Sequence, residues 1–173
     1  MNNNKELNNN KITKILFVCL GNICRSPAAQ GVMQSIIDER GLADRLEVDS
    51  AGISAYHSGE LPDSRMRQHA SQRGLQLTHR SRRVRSSDFD AFDLIIGMDR
   101  SNVEDLQELA PTMAHADKIV RISTYFRHHP DWDSIPDPYY GGWQGFEDAL
   151  DLLEDACNTI ADLFAAGKIV KHC

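Results

Sequence analysis

The sequence predicts an α/β protein built as a three-layer, doubly wound sandwich: a four-stranded parallel sheet flanked by helices. Three observations predict it. Short β-rich runs alternate with stretches at helical spacing, the pattern of βαβ units. The first and third runs are almost wholly apolar, as strands buried on both faces must be. No internal repeat, linker or composition break follows about residue 11, so 12–173 reads as one domain of ordinary size. Residues 1–11 (MNNNKELNNNK) are Asn-rich, lack the apolar stretch of a secretory signal, and are expected to form a disordered extension.

The first strand is expected at 14–19 (KILFVC). It runs into LGNICRSP, where Ser26 is the expected N-cap of a helix and Pro27 suits the first turn, having no amide hydrogen to leave unpaired. Ala28, Ala29, Val32, Met33, Ile36 and Ile37 then fall at helical spacing until Gly41 ends the pattern. A second strand fits 46–51. The helix expected at about 62–73 is polar except for Met66 and Ala70, so it should pack along a narrow seam. A third strand, 93–98, precedes a helix running to Leu109 and stopped by Pro111; 119–122 makes a fourth. Residues 123–144, rich in Pro, Gly, His and aromatics, read as one long loop, and loops of that length in compact domains are usually functional. Phe146, Leu150, Leu153, Cys157, Ile160 and Phe164 form the stripe of a last helix.

Composition narrows the function. With 41% hydrophobic and 25% charged residues the chain is ordinary for a globular protein, which excludes fibrous and disordered classes. No apolar run approaches the roughly 20 residues of a membrane span, so no membrane partner is expected. The balance of 19 basic against 25 acidic residues, net −6, disfavours a nucleic-acid partner. Four cysteines are too few for a disulfide scaffold, and a cytoplasmic location is expected.

In doubly wound sheets, ligands bind beyond the carboxyl ends of the strands. The segment Cys19, Leu20, Gly21, Asn22, Ile23, Cys24, Arg25, Ser26 falls there. Gly21 and Asn22 tolerate left-handed backbone angles. A loop curling into a helix start aims several backbone N–H groups at one point, forming an anion cradle, and Arg25 adds a planar fork matched to two phosphate oxygens. The same positive field favours the thiolate of Cys19 and places it to attack phosphorus.

A Cys, five residues, then Arg and Ser at a strand-to-helix turn resembles the phosphate loop of protein tyrosine phosphatases. The longer VCLGNICRSP, with DSAG at 49–52, GMDRSN at 97–102 and DPYYGG at 137–142, resembles the low-molecular-weight tyrosine phosphatase family over about 14–168. The resemblance implies a phosphocysteine mechanism on phosphotyrosine-containing protein substrates, with no metal or cofactor; a chain of this size is self-sufficient, so a monomer is expected. The resemblance also implies Asp137 as general acid and base, and Pro136 and Pro138 would stiffen that segment. It implies that Ser26 donates to the Cys19 sulfur, that Ser50 and His79 hold Asn22 in a left-handed conformation, and that Asp99 buttresses Arg25. Leu20, Tyr56, Tyr139 and Tyr140 would wall the substrate slot. One departure stands out: the family's usual pattern has an acid where this chain has Gln30, so His79 is expected to titrate lower than it would beside a carboxylate.

Several residues carry two readings. Cys24 is either a packed small hydrophobe or a second thiol able to form a reversible disulfide with Cys19. Cys157 belongs to the last helix's core stripe, and Cys173 is terminal. His128 and His129 read as a solvated loop, since adjacent residues rarely face one ion. Arg80, Arg82, Arg83 and Arg85 read as a solvated run or as a rim attracting acidic phosphopeptides. Three other functions compete with tyrosine phosphatase. An arsenate reductase of this fold would need a cysteine pair where residues 25–156 have none. Protein arginine phosphatases resemble the same loop with a small Thr where Ile23 stands. A phosphate-binding module would not need Cys19, Arg25 and Asp137 together.

Overall fold

The computed structural model describes residues 11–169. The expected extension at 1–11 therefore lies, apart from Lys11, outside the described residues, as does Cys173. Strand β1 is Thr13–Cys19, helix α1 Arg25–Arg40, β2 Leu46–Gly52, α2 Ser64–Gln72, α3 Asp88–Ala91, β3 Leu94–Gly97, α4 Arg100–Leu109, α5 Met113–Ala116, β4 Ile119–Arg121 and α6 Trp143–Ala165. Single 3₁₀ turns occur at Ile122–Tyr125 and Pro138–Tyr140.

All strand pairs are parallel, in the order β2-β1-β3-β4. β1 is central, and its alternation divides the interior. Ile15, Phe17 and Cys19 face a core shared with α1 and α6, whereas Leu16 and Val18 face a second core with Phe89, Phe92 and Leu106. That two-sided burial is why the strand is apolar throughout. Because β1 pairs with β2 on one side and β3 on the other, its carboxyl end is the topological switch point, where the sheet leaves a crevice.

Helix α1 ends as expected, at Gly41 with φ 66°, where its amide bonds the Asp38 and Ile37 carbonyls. Its start departs from expectation. Cys24, not Ser26, is the N-cap residue, and no side chain caps the helix. Ser26 sits inside the first turn because its hydroxyl is drawn to the Cys19 sulfur instead. The cap of α2 is Asp63, which accepts from the Arg65 and Met66 amides. Met66 and Ala70 are that helix's buried residues, giving the narrow seam expected. The four-residue helices α3 and α5 have no counterpart in the sequence reading. The expected single loop at 123–144 is interrupted by both 3₁₀ turns and shortened by α6, which begins at Trp143.

Candidate active site

Between Cys19 and Arg25 the chain turns from β1 into α1 in five residues. Asn22 makes this possible by adopting φ 55°, the only positive φ outside glycine among the described residues. Gly52 makes room: a Cβ there would stand 2.9 Å from the Leu20 carbonyl oxygen and 3.1 Å from the Asn22 nitrogen. The loop is pinned to the chain after β2 by Ile53 N–H to the Cys19 carbonyl (3.0 Å) and Ser54 N–H to the Leu20 carbonyl (2.8 Å). Since no side chain caps α1, its first-turn amides are left for an anion.

Donor and acceptor accounting fixes the network behind the loop. The Asn22 carboxamide oxygen only accepts, so His79 Nε2 must carry a proton and donate to it (2.9 Å), alongside the Arg82 backbone N–H (3.1 Å). The Asn22 Nδ2 donates to Ser26 Oγ (2.8 Å) and Ser50 Oγ (3.0 Å), and Ser50 Oγ donates to Gln30 Oε1 (2.7 Å). With its oxygen already accepting, Ser26 turns its own proton to the Cys19 sulfur at 3.0 Å in preference to the Ala51 carbonyl at 3.4 Å. Burial lowers the pKa of His79, outweighing the upward pull of Asp49, 3.5 Å from Nδ1; Arg82 pushes it further down. Burial is the largest cause, and residue 30 is not among the causes of this shift.

Arg25 is 3% exposed. Its Nη1 donates to Asp99 Oδ2 (2.6 Å) and to the Ile135 carbonyl (3.0 Å). Burial works against its charge, but the Cys19 sulfur and the Asp99 bond outweigh that, and the guanidinium is held more firmly charged than usual. Asp137 Oδ2 stands 3.6 Å from Arg25 Nη2 at the mouth, while Oδ1 accepts from the Tyr139 amide at 3.1 Å. Burial, then Asp63 and the Cys19 sulfur, push the Cys24 thiol up.

These groups surround a pocket of about 440 Å³ with Cys19, Gly21, Ile23, Cys24 and Arg25 among its lining residues. Leu20, Tyr56, Tyr139, Tyr140 and Asp137 also line it, with Tyr56 85% and Tyr140 92% exposed. Asn22, Ser26, Ser50, His79 and Asp99 form the supporting network instead.

Sequence reading missed His57 and Ser54, which also line the pocket. The His57 ring meets Tyr56 edge-on at 4.8 Å and is tied to Glu60 at 2.7 Å. No local motif marks it. Within the arginine cluster Arg80, Arg83 and Arg85 are exposed, as expected, but Arg82 departs. Arg82 is drawn inward between Asp49 (3.0 Å) and Asp88 (2.9 Å), so it belongs to the scaffold. His129 is bonded at 2.9 Å to buried Asp155, which also accepts from the Arg127 and His128 amides, so the expected solvated loop is a tethered one. Cys157 is fully buried in the core, as expected.

A family model described as low molecular weight phosphotyrosine protein phosphatase matches residues 14–170. A low molecular weight protein-tyrosine-phosphatase of Streptomyces coelicolor is 38% identical over 144 residues, covering 83% of this chain and 88% of that protein. Among solved structures, a protein tyrosine phosphatase of Entamoeba histolytica with Hepes in its active site superimposes with a TM-score of 0.87 at 43% identity, covering 91% of this chain and 99% of that one. A Drosophila arginine phosphatase superimposes with a TM-score of 0.82 at 34% identity, over 88% and 98% of the two chains.

Proposed function

The chain belongs to the low molecular weight phosphotyrosine protein phosphatases, and from that membership we propose that it hydrolyses phosphotyrosine monoesters in proteins through a phosphocysteine on Cys19. The observation that carries the site assignment is the conjunction in one pocket of a Cys19 sulfur bonded to a hydroxyl, a buried charged guanidinium, and the Asp137 carboxylate 3.6 Å from that guanidinium at the mouth.

The Cys19 thiolate attacks phosphorus while protonated Asp137 gives its proton to the departing phenolic oxygen; the S–P bond forms as the P–O bond breaks. Arg25 and the loop amides bind the equatorial oxygens as their charge redistributes. Asp137, now a carboxylate, takes a proton from water, which attacks phosphorus and displaces the thiolate. Ser26, already aimed at the sulfur, stabilises it as it leaves. Tyr56, Tyr139 and His57 offer flat surfaces to an aromatic ring above the phosphate. A monomer acting in the cytoplasm is the setting we assign; the three described cysteines are unpaired thiols, which suits a reducing compartment.

Phosphoarginine is the second reading, favoured by the likeness to the Drosophila arginine phosphatase. Hydrolysis of matched phosphotyrosine and phosphoarginine peptides, with EDTA present, separates the two. Phosphotyrosine turnover lost in Cys19→Ser and cut about 10²–10⁴-fold in Asp137→Ala is expected. Preference for phosphoarginine would transfer the chain to the second reading, and phosphate binding without turnover of either peptide would remove the enzyme.

A further inference from the structure

We infer that Arg65 is a positioning residue that sets the distance between the phosphate cradle and the Asp137 turn. The inference rests on the reading of Asp137 as proton donor. The first turn of α2 stands between the two halves of the site and is bonded to both. On the cradle side, the Asp63 backbone N–H donates to the Ile23 carbonyl at 2.7 Å. The Asp63 carboxylate then takes the Arg65 guanidinium in two bonds, Nε to Oδ1 at 3.1 Å and Nη2 to Oδ2 at 3.0 Å. On the acid side, Arg65 Nη2 donates to the Tyr139 carbonyl at 2.9 Å. The guanidinium also lies over the Tyr139 ring at 5.5 Å and the Phe146 ring at 5.0 Å.

Tyr139 is therefore held at both ends of its backbone: its N–H by Asp137 and its carbonyl by Arg65. The turn is also held by the buried Pro138, by the Gly141 N–H to the Pro138 carbonyl (3.0 Å) and by Tyr139 packing against the core, and Arg65 is what ties it to α2. The preceding segment is anchored at Ile135, whose N–H meets the Met98 carbonyl (2.9 Å) and whose carbonyl meets Arg25. Beyond Ile135, the Asp137 carboxylate meets the cradle directly, with Oδ2 3.6 Å from Arg25 Nη2, and the path Ile23–Asp63–Arg65–Tyr139–Asp137 holds the backbone that carries it. Asp63 is bound up in capping α2 and cannot move without the helix, so the guanidinium is a fixed bracket rather than a free surface cation.

The test compares kcat/KM, which reports the step that expels the leaving group, on two aryl phosphates. Phenyl phosphate needs a proton on its departing oxygen; an ester with strongly electron-withdrawing substituents does not. Wild type, Asp137→Ala, Arg65→Gln and Arg65→Lys are measured, with inhibition by inorganic phosphate and thermal midpoints. Asp137→Ala should lose about 10²–10⁴-fold on phenyl phosphate and far less on the activated ester. Arg65→Gln should show the same selective loss at about 10–100-fold, the effect of an ångström-scale misplacement, with phosphate inhibition unchanged. Arg65→Lys, which keeps one donor but not the fork, should fall between. Equal slowing on both esters, weakened phosphate inhibition, or no loss in folded Arg65→Gln would overturn the inference while leaving Asp137 in its role. Absence of selectivity in Asp137→Ala would remove the proton-donor reading and this inference with it.

Discussion

Replacing Asn22 by alanine should damage both the fold and the cradle, by an amount the structure lets one work out. Asn22 is fully buried, at φ 55°. Alanine at a left-handed position costs about 1–2 kcal/mol. The two hydroxyls that Asn22 serves can rotate to other partners. His79 Nε2–H and the Arg82 N–H cannot, and they lose their common acceptor, at about 1–3 kcal/mol for each donor stranded without one. Because His79 keeps some access to water, the lower part of the summed range applies, about 3–5 kcal/mol, a large share of the roughly 5–15 kcal/mol that holds a domain together. Asn22→Gly removes the backbone strain but strands the same donors and loosens the unfolded chain, so it should recover only about 1 kcal/mol relative to alanine. Urea unfolding followed by fluorescence of Trp132 and Trp143 gives the stabilities, and competitive inhibition by inorganic phosphate gives the state of the cradle. Both variants should bind phosphate more weakly, since the loop has lost its inner brace. An alanine variant destabilised by less than about 1 kcal/mol, with phosphate affinity intact, would refute the reasoning.

Gly52→Ala should act through space rather than backbone freedom: the new Cβ meets the Leu20 carbonyl at 2.9 Å, an atom of the cradle's own backbone, so phosphate inhibition should weaken about tenfold or more, and an unchanged inhibition constant would show that the loop yields freely. The pH dependence of stability should carry the signature of His79, which faces Asp49, Arg82, Asn22 and Ser50, the last bonded to Gln30. Its folded pKa lies below the ordinary value of about 6.5, so the unfolded chain binds the proton more readily; the contribution is complete above about 6.5 and is lost as pH falls through that value towards the folded one. Gln30→Glu adds a carboxylate to this network, should pull His79 upward, and should flatten the acid side of the urea-midpoint profile; parallel profiles for the two proteins would exclude the coupling.

What the residues disclosed unaided was mostly what lies contiguous in them; the distant members Ser50, His79, Asp99 and Tyr56 came with the family resemblance. β1, the five-residue turn and the start of α1 form one unbroken stretch, and the chemistry of that stretch depends on local backbone geometry. The N-cap error shows the limit even there. Ser26 has the right residue type for a cap, but a hydroxyl in a functional loop goes to whichever partner the tertiary fold supplies, and here that is a thiol 3.0 Å away. The arginine run shows the same limit from the other side. Four like residues at 80–85 look equivalent in sequence, yet Arg82 alone meets two carboxylates, Asp49 from β2 and Asp88 from α3, whose approach is a property of the sheet order.

The proton-donor side of the pocket is different in kind. His57, Arg65, Ile135 and Tyr139 come from separate segments that meet because their connections gather at the carboxyl end of the sheet. No short motif marks His57 or Arg65, and each is an unremarkable surface residue when seen alone. In the proposed mechanism the cradle binds the phosphate and presents the nucleophile, while the distributed wall governs what the phosphate is attached to and how readily that group leaves. Overall likeness therefore cannot decide the substrate. A tyrosine phosphatase at 43% identity and an arginine phosphatase at 34% both superimpose closely on this chain, because what all three share is the fold that carries the cradle. The preference must be carried by the few residues that line the slot above it, which is why exchanging Ile23, Tyr56 or His57 should redirect substrate choice while substitutions on the exposed faces of α1 and α6 should not.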